Sequence, residues 1–555
     1  MRRQALLVFA VAVLFWVSAA GAGEATPAPK AKPAQDANDP VVTTRLGKVR
    51  GTRGVEGVLT FLGIPYATPP VGDRRWRAPA PAKAWSGERD ATLPGPICPQ
   101  KIPRRYRSAI KVSEDCLYVN VWAPDPASPA PRPVMVWIHG GGFASGYGSA
   151  PIYDGTALAA RGVVVVTFNY RLNVLGALVH PVLTRESEAE VSGNYHLQDQ
   201  LAVLRWVQEN IGAFGGDPSN VTLFGESAGG TSAMGLMTSP LAAGLFHRVI
   251  SQSGVLRSGM RDLSEAHQQG REVVRQLGMT EVTSAALRGV DWRRLIRVVE
   301  DLDAFSRPIV DGRLLKARPD CAFRHGRQLD VPLILGFNAR EEALRYTFAP
   351  ELLPKDAGEF RAWAEDRFGG DADALLAQHP VEGGDYLESV VALETLRRYA
   401  APTRLAAHWM EQVPSNAYLY VFSRVPPDPA FKPLAASHAA EIRYVFGTHL
   451  QGEEQGGGVA PAGVGNPELL VEADGALVSA IQRYWVQFAK TGNPNEESLP
   501  HWPPYRRAID QHLKLDASIA MGQGFGRPGA RLIEDRQAQQ TGGLCERSEK
   551  EGKST

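Results

Sequence analysis

The sequence predicts an α/β fold, a mainly parallel sheet with helices on both faces, and three stretches carry that expectation. "PVMVWIHGGGF" (133–143) and "GVVVVTFNY" (162–170) are near-continuous apolar runs ending in polar or glycine residues. Strands buried on both faces read this way. Between them and the next strand lies "LQDQLAVLRWVQENIGAF" (197–214), whose apolar residues recur at helical spacing and stop before "GGDPSN", a turn. "VTLF" (221–224) is then a further strand and "SAGGTSAMGLMTS" (227–239) the helix after it. Strand, helix, strand, helix is the order that builds a parallel sheet. Later strands are expected in "VPLILGF" (331–337) and "AYLYVFS" (417–423).

At 555 residues, with 44% apolar and 21% charged residues, the chain has the composition of a folded globular protein. A net charge of +1 gives no reason to expect nucleic acid or an anionic membrane as a partner. The N-terminus sets Arg2 and Arg3 before an apolar run from Ala5 to Val17, then small residues including Ala20-Gly21-Ala22. Residues 1–22 are therefore expected to be a secretory signal peptide, the apolar run being short for a membrane span of roughly 20 residues. Residues 23–40 read as a Pro/Ala-rich linker, 41–536 as one catalytic domain, and 537–555 as a polar, mobile tail. Export, periplasmic or secreted, permits disulfides. Of the four cysteines, Cys98 and Cys116 are close in sequence, whereas Cys321 and Cys545 have no obvious mates and are expected not to bond to each other. No pair has zinc-ligand spacing, so no metal site is expected.

Chemistry concentrates at "VTLFGESAGG" (221–230), where a strand runs straight into a serine boxed by glycines. A sharp strand-to-helix turn would force the Ser227 side chain into strained exposure, and small neighbours are needed because Cβ atoms would clash. The plainer alternative is a serine that merely caps the helix. A nucleophilic serine needs an imidazole to take its proton and a carboxylate to hold the ring. His438, in "AASHAAEIRYVFG", is the candidate base, and spacing alone leaves His449 as a rival. Acyl transfer also needs donors for the developing oxyanion. The backbone N–H groups of Gly141 and Gly142, in "WIHGGGF", and of Ala228, directly after the serine, can supply them.

Through these motifs the chain resembles the type-B carboxylesterase family of α/β-hydrolases, which includes bacterial para-nitrobenzyl-type esterases and the cholinesterases. The resemblance runs from about residue 43 to 516 and rests on "FLGIPYATPPVGDRRW", "SEDCLYVNVW", "HGGGF", "NYRLNVLGAL", "FGGDPSNVTLFGESAGG" and "TGNPN" in that order. It implies an α/β-hydrolase fold and a triad in which Ser227 is the nucleophile, Glu341 the acid and His438 the base. The acid lies in "GFNAREEAL", which departs from the family pattern at Arg340 and Glu342, so Glu342 stands beside Glu341 as a second candidate carboxylate. Ala439 also replaces a usual glycine. Ser253 matches a serine standing behind the triad, Cys98 and Cys116 match a family disulfide, and Arg75 and Glu114 match a buried ion pair.

The implied activity is that of a serine carboxylesterase acting on small-molecule esters through an acyl-enzyme, without a cofactor, as a monomer or weak oligomer with no stable membrane insertion. Against it stands a non-catalytic, cholinesterase-like interaction protein, but such relatives generally lack a triad member. A peptidase would need a second domain that the sequence does not suggest, and the 98–116 loop lacks the tryptophan of a choline site. That loop carries Lys101, Arg104, Arg105, Arg107 and Lys111, which form either a solvated basic face or an attraction for esters bearing a free carboxylate.

Overall fold

Fourteen strands occur among the described residues of the computed structural model, and eleven of them share one sheet. The structure describes residues 39–552 apart from 104–107, 109, 126–129, 257–259, 301–306, 382, 427–433 and 449–471. The expected signal peptide, most of the linker, Arg104, Arg105, Arg107 and the rival His449 lie outside the described residues. In chain order the strands are β1 (Val41–Thr44), β2 (Gly47–Arg50), β3 (Thr52–Arg53), β4 (Val58–Pro65), β5 (Glu88–Asp90), β6 (Tyr118–Pro124) and β7 (Arg132–Ile138). They continue with β8 (Val164–Phe168), β9 (Gly216–Glu226), β10 (Arg248–Gln252), β11 (Leu333–Asn338), β12 (Ala417–Phe422), β13 (Gln511–Leu515) and β14 (Ala520–Gln523).

The large sheet has the order β14-β13-β12-β11-β10-β9-β7-β8-β6-β4-β3, with β1, β2 and β5 in a small sheet of their own. From β8 to β13 every pairing is parallel, and the antiparallel pairings lie toward the edges. Side chains alternate across a strand, and β7 shows what that does here. Val134, Val136 and Ile138 enter a core with Leu197, Leu201 and Leu204 of the helix Tyr195–Asn210. Met135 and Trp137 enter the core on the other face, where the Trp137 ring meets Phe224 at 4.8 Å and Phe446 at 5.0 Å. Both faces are covered, so β7 must be apolar from Val134 to Ile138.

Strand order also locates the crevice. The chain leaves β7 toward β8 on one side, crosses back, and leaves β9 toward β10 on the other. Where neighbouring strands send their chains in opposite directions, their C-terminal ends open a cleft. Ile138 and Glu226, the last residues of β7 and β9, stand at that point.

Three expectations need correction. The "GGDPSN" turn is shorter than its composition suggests, because Gly215 (φ +77°) makes the bend and Gly216 already pairs with Arg132. Residues 537–552 are not a mobile tail but part of a helix, Gly529–Gly552. Its buried positions among the described residues, Gly529, Ala530, Ile533, Glu534, Thr541, Gly542 and Cys545, come as neighbours or at steps of three, four and seven, which keeps them on one face. Because several of these are polar or glycine, the stripe is invisible to a search for apolar periodicity. Finally, Cys321 and Cys545 do bond to each other, across a separation of 224 residues. The helix Pro319–Arg324 brings Cys321 against the C-terminal helix, where Arg324 Nη1 donates to Ala538 O at 2.9 Å.

Candidate active site

The end of β9 turns into the helix Ala228–Leu236 through Ser227, whose backbone sits at φ 54°, ψ −117°. A non-glycine residue held there is strained, and such strain gathers at functional positions. The turn is tight enough to dictate its neighbours. A Cβ on Gly229 would lie 1.9 Å from Ile138 O, and one on Gly225 would lie 2.7 Å from Gly229 C. Ser227 N donates to Gln252 O at 2.8 Å, and the serine side chain makes no capping bond, so the capping alternative does not describe it.

The glycine loop after β7 lies against this elbow. A Cβ on Gly140 would be 3.3 Å from Ser227 Cβ and 2.6 Å from Glu226 Oε2. Gly141 (φ +98°), Gly142 (φ +64°) and Phe143 (φ 61°) follow in the left-handed region, and a Cβ on Gly142 would meet nothing within 4 Å. The loop therefore presents backbone, not side chain, to open space beside the serine. Ala228 is the first residue of its helix, where N–H groups have no partner within the helix.

His438 is carried by the segment after β12, stitched to the segment after β11. Arg340 N donates to Ala436 O at 3.0 Å, Asn338 Nδ2 to Ser437 O at 2.7 Å, and His438 N to Glu341 O at 3.3 Å. Ala436 (φ 47°) and Ala439 (φ 68°) hold left-handed backbone on either side of the ring. His438 Nδ1 is 2.6 Å from Glu341 Oε2, while Glu341 Oε1 accepts from Ser253 Oγ at 2.6 Å and from Asn338 N at 2.8 Å. Of the two adjacent glutamates, Glu341 meets the imidazole. Glu342 turns away, to Arg398 Nη1 at 3.0 Å and Arg345 Nη1 at 3.7 Å.

Sequence reasoning did not single out three residues that complete the site. Glu226, quoted inside the elbow motif but given no role, has Oε1 3.1 Å from His438 Nε2. Glu441 accepts from Asn338 Nδ2 at 2.6 Å and from Gln252 Nε2 at 3.2 Å. Tyr399 sets its ring 5.3 Å from the imidazole. Burial pushes the Glu226 carboxyl up to about 8, with His438 opposing and Glu441 and Glu341 reinforcing. Burial also raises Glu441, with Glu341 adding to it. At His438, burial opposes the charged ring, but Tyr399, Glu226 and Glu341 outweigh it and hold the imidazolium well above the usual range. The signal for Glu226 was its place directly before the serine.

Away from the elbow, Cys98 bonds to Cys116. Arg75 grips Glu114 in a two-pronged pair, Nε to Oε2 at 2.7 Å and Nη2 to Oε1 at 2.5 Å, and donates to the carbonyls of Arg288 and Val290. Among the described residues no helix is long and apolar enough to cross a membrane.

Residues 38–529 match the carboxylesterase family. The chain is 37% identical over 494 residues to a fumonisin B1 esterase of Sphingopyxis macrogoltabida, covering 87% of each chain. It is 38% identical over 495 residues to a para-nitrobenzyl esterase of Bacillus subtilis, covering 87% of this chain and 96% of that one. A solved para-nitrobenzyl esterase structure superposes with a TM-score of 0.75 at 36% identity, covering 89% of this chain and 99% of the other. A serine at a strained elbow, on a fold shared with these enzymes over nearly their whole length, leads to one conclusion: the chain belongs to the carboxylesterase family and is a carboxylic ester hydrolase with the α/β-hydrolase fold.

Proposed function

We propose that the chain hydrolyses small-molecule carboxylic esters through an acyl-enzyme on Ser227, with His438 as the base and Glu341 as the acid that holds it. The observation that carries this reading is the 2.6 Å contact of His438 Nδ1 with Glu341, beside a serine held at φ 54°. Ser227 Oγ attacks the ester carbonyl carbon as its proton passes to His438 Nε2. The Nδ1 contact then faces an imidazolium, which the Glu341 carboxylate stabilises. Charge collects on the former carbonyl oxygen, where the N–H groups of Gly141, Gly142 and Ala228 can receive it. Collapse breaks the bond to the alcohol, which leaves with the proton from Nε2. Water adds to the acyl group by the same route, and the acid departs as Ser227 Oγ recovers its proton.

For Nε2 to serve the serine, the ring must share or exchange its contact with Glu226. Apo enzymes commonly hold such bonds in looser arrangements than the reacting complex. The apolar N-terminal run and the two disulfides support export of the mature enzyme.

The test is burst release of para-nitrophenol from its acetate, with labelling by a fluorophosphonate probe. Ser227→Ala is expected to abolish both while leaving the melting transition in place. Retention of more than about a tenth of the activity would refute the assignment of the nucleophile.

A further inference from the structure

The helical stretch behind the site is interrupted. Between the helices Leu387–Thr395 and Ala401–Trp409, residues Leu396–Ala400 form a single π-helical turn. Such turns insert one extra residue into the helical frame and re-aim the side chains they carry. Here the re-aimed residue is Tyr399. Its ring is 6% exposed and sits 5.3 Å from the His438 ring, inclined at 50°.

The turn is pinned on three sides. Arg398 Nη1 reaches Glu342 at 3.0 Å, Arg397 Nη2 reaches Glu394 at 2.6 Å, and Gln537 Nε2 of the C-terminal helix donates to Arg397 O at 2.7 Å. Glu342, which stands beside the imidazole's carboxylate without touching the ring, thus anchors the residue preceding Tyr399. A tyrosine placed so firmly against a base that must become cationic in each half-reaction has a physical use. An aromatic face within about 6 Å of a cation attracts it through the ring quadrupole.

We infer that Tyr399 is a positioning residue: its ring packs against His438, holds the imidazole in place, and stabilises the imidazolium formed when Ser227 is deprotonated. The inference rests on the reading of His438 as the base. The groups facing that ring are Glu341 from the segment after β11, Glu226 from the end of β9 and Tyr399 from the π turn. Glu441 is joined to Asn338 and Gln252, while Glu342 and Arg398 act electrostatically on Tyr399. Two carboxyl groups stand at the ring's nitrogens, and the tyrosine packs against the ring at 50°. Removing the tyrosine therefore leaves the triad contacts in place but lowers the preference for the charged form.

The experiment compares Tyr399→Phe, Tyr399→Met and Tyr399→Leu in the full chain, reading kcat and KM for para-nitrophenyl acetate from pH 5 to 9. A base must be neutral to accept the serine proton, so kcat/KM rises through the imidazole pKa. Losing a cation-stabilising neighbour lowers that pKa and moves the acid limb to lower pH. Met and Leu are expected to shift the limb down by roughly half to one and a half pH units and to lower kcat roughly three- to thirtyfold, with KM little changed. Phe, which keeps the ring face, is expected to retain the wild-type limb and rate. An unmoved limb in either aliphatic variant that folds would overturn the inference, as would a Phe variant that shifts as far as they do. Wild-type protein that shows no burst and takes no fluorophosphonate sinks instead the reading of the site itself, so the two failures are distinguishable.

Discussion

His438 Nε2 stands 3.1 Å from Glu226 Oε1, so the ring nitrogen that Glu341 does not hold faces the carboxyl group of the residue directly before Ser227. With Nδ1 held by Glu341 at 2.6 Å, the imidazole stands between two buried carboxyl groups.

That bridge has a pH signature. Burial, with Glu441 and Glu341 adding and His438 opposing, raises Glu226 from an ordinary 4.5 to about 8 in the fold. The folded chain keeps a proton that the unfolded chain gives up at lower pH. The stability tied to this group is therefore fully present below about 4.5 and lost as pH rises through about 8. Glu226→Gln, which cannot ionise, is expected to flatten the fall in stability between pH 5 and 9 by an amount on the order of a few kcal/mol. Urea unfolding at the two pH values checks this; equal falls in wild type and variant would count against the buried, protonated carboxyl.

The adjacent glutamates are expected to separate cleanly in kinetics. Glu341→Gln replaces the acceptor at Nδ1 with a group that can present the wrong polarity, and should lower kcat by roughly 10³- to 10⁴-fold. Glu342→Gln removes the charge that Arg398 and Arg345 address and should cost less than about tenfold. Side-by-side kcat values decide the matter, and a larger loss at Glu342 would reverse the assignment of the acid.

Opening the long disulfide should weaken the fold without erasing the chemistry. Cys321→Ser with Cys545→Ser is expected to lower unfolding stability by about 2–5 kcal/mol, as for removal of a native bond closing a long loop. The two serines touch none of the reacting groups, so kcat at 25 °C should stay within about twofold. Non-reduced peptide mapping of the wild type should recover one peptide pair holding Cys98 with Cys116 and another holding Cys321 with Cys545. Free, alkylatable Cys545 in the native protein would contradict it.

The central sheet was legible because β7, β8, β11 and β12 are apolar on both faces, a pattern few other structures require. The elbow around Ser227 was legible because Gly225 and Gly229 approach backbone too closely to admit a side chain, and Gly141 and Gly142 because both hold positive φ. Glu341 was separated from Glu342 only by the family pattern, since the residues themselves do not say which way the chain turns two adjacent carboxylates. Tyr399 left no local signal, because a π turn has no residue signature of its own and its contact with His438 spans 39 positions. The pairing of Cys321 with Cys545 was hidden for the same reason, its mates lying 224 residues apart on helices whose buried faces are partly polar.

The place of that bond along the chain divides the site in two. Glu341, Tyr399 and His438 all lie between Cys321 and Cys545, whereas Gly141, Gly142 and Ser227 precede both. A single backbone cut anywhere inside the closed segment leaves the two fragments covalently joined, whereas a cut between Cys116 and Cys321 does not. A nick between Cys321 and Cys545 therefore yields two covalently joined chains, with Ser227 on one and, where the cut falls between Cys321 and Glu341, all of Glu341, Tyr399 and His438 on the other. In a reducing environment only the shared sheet and core would hold the nicked chains together.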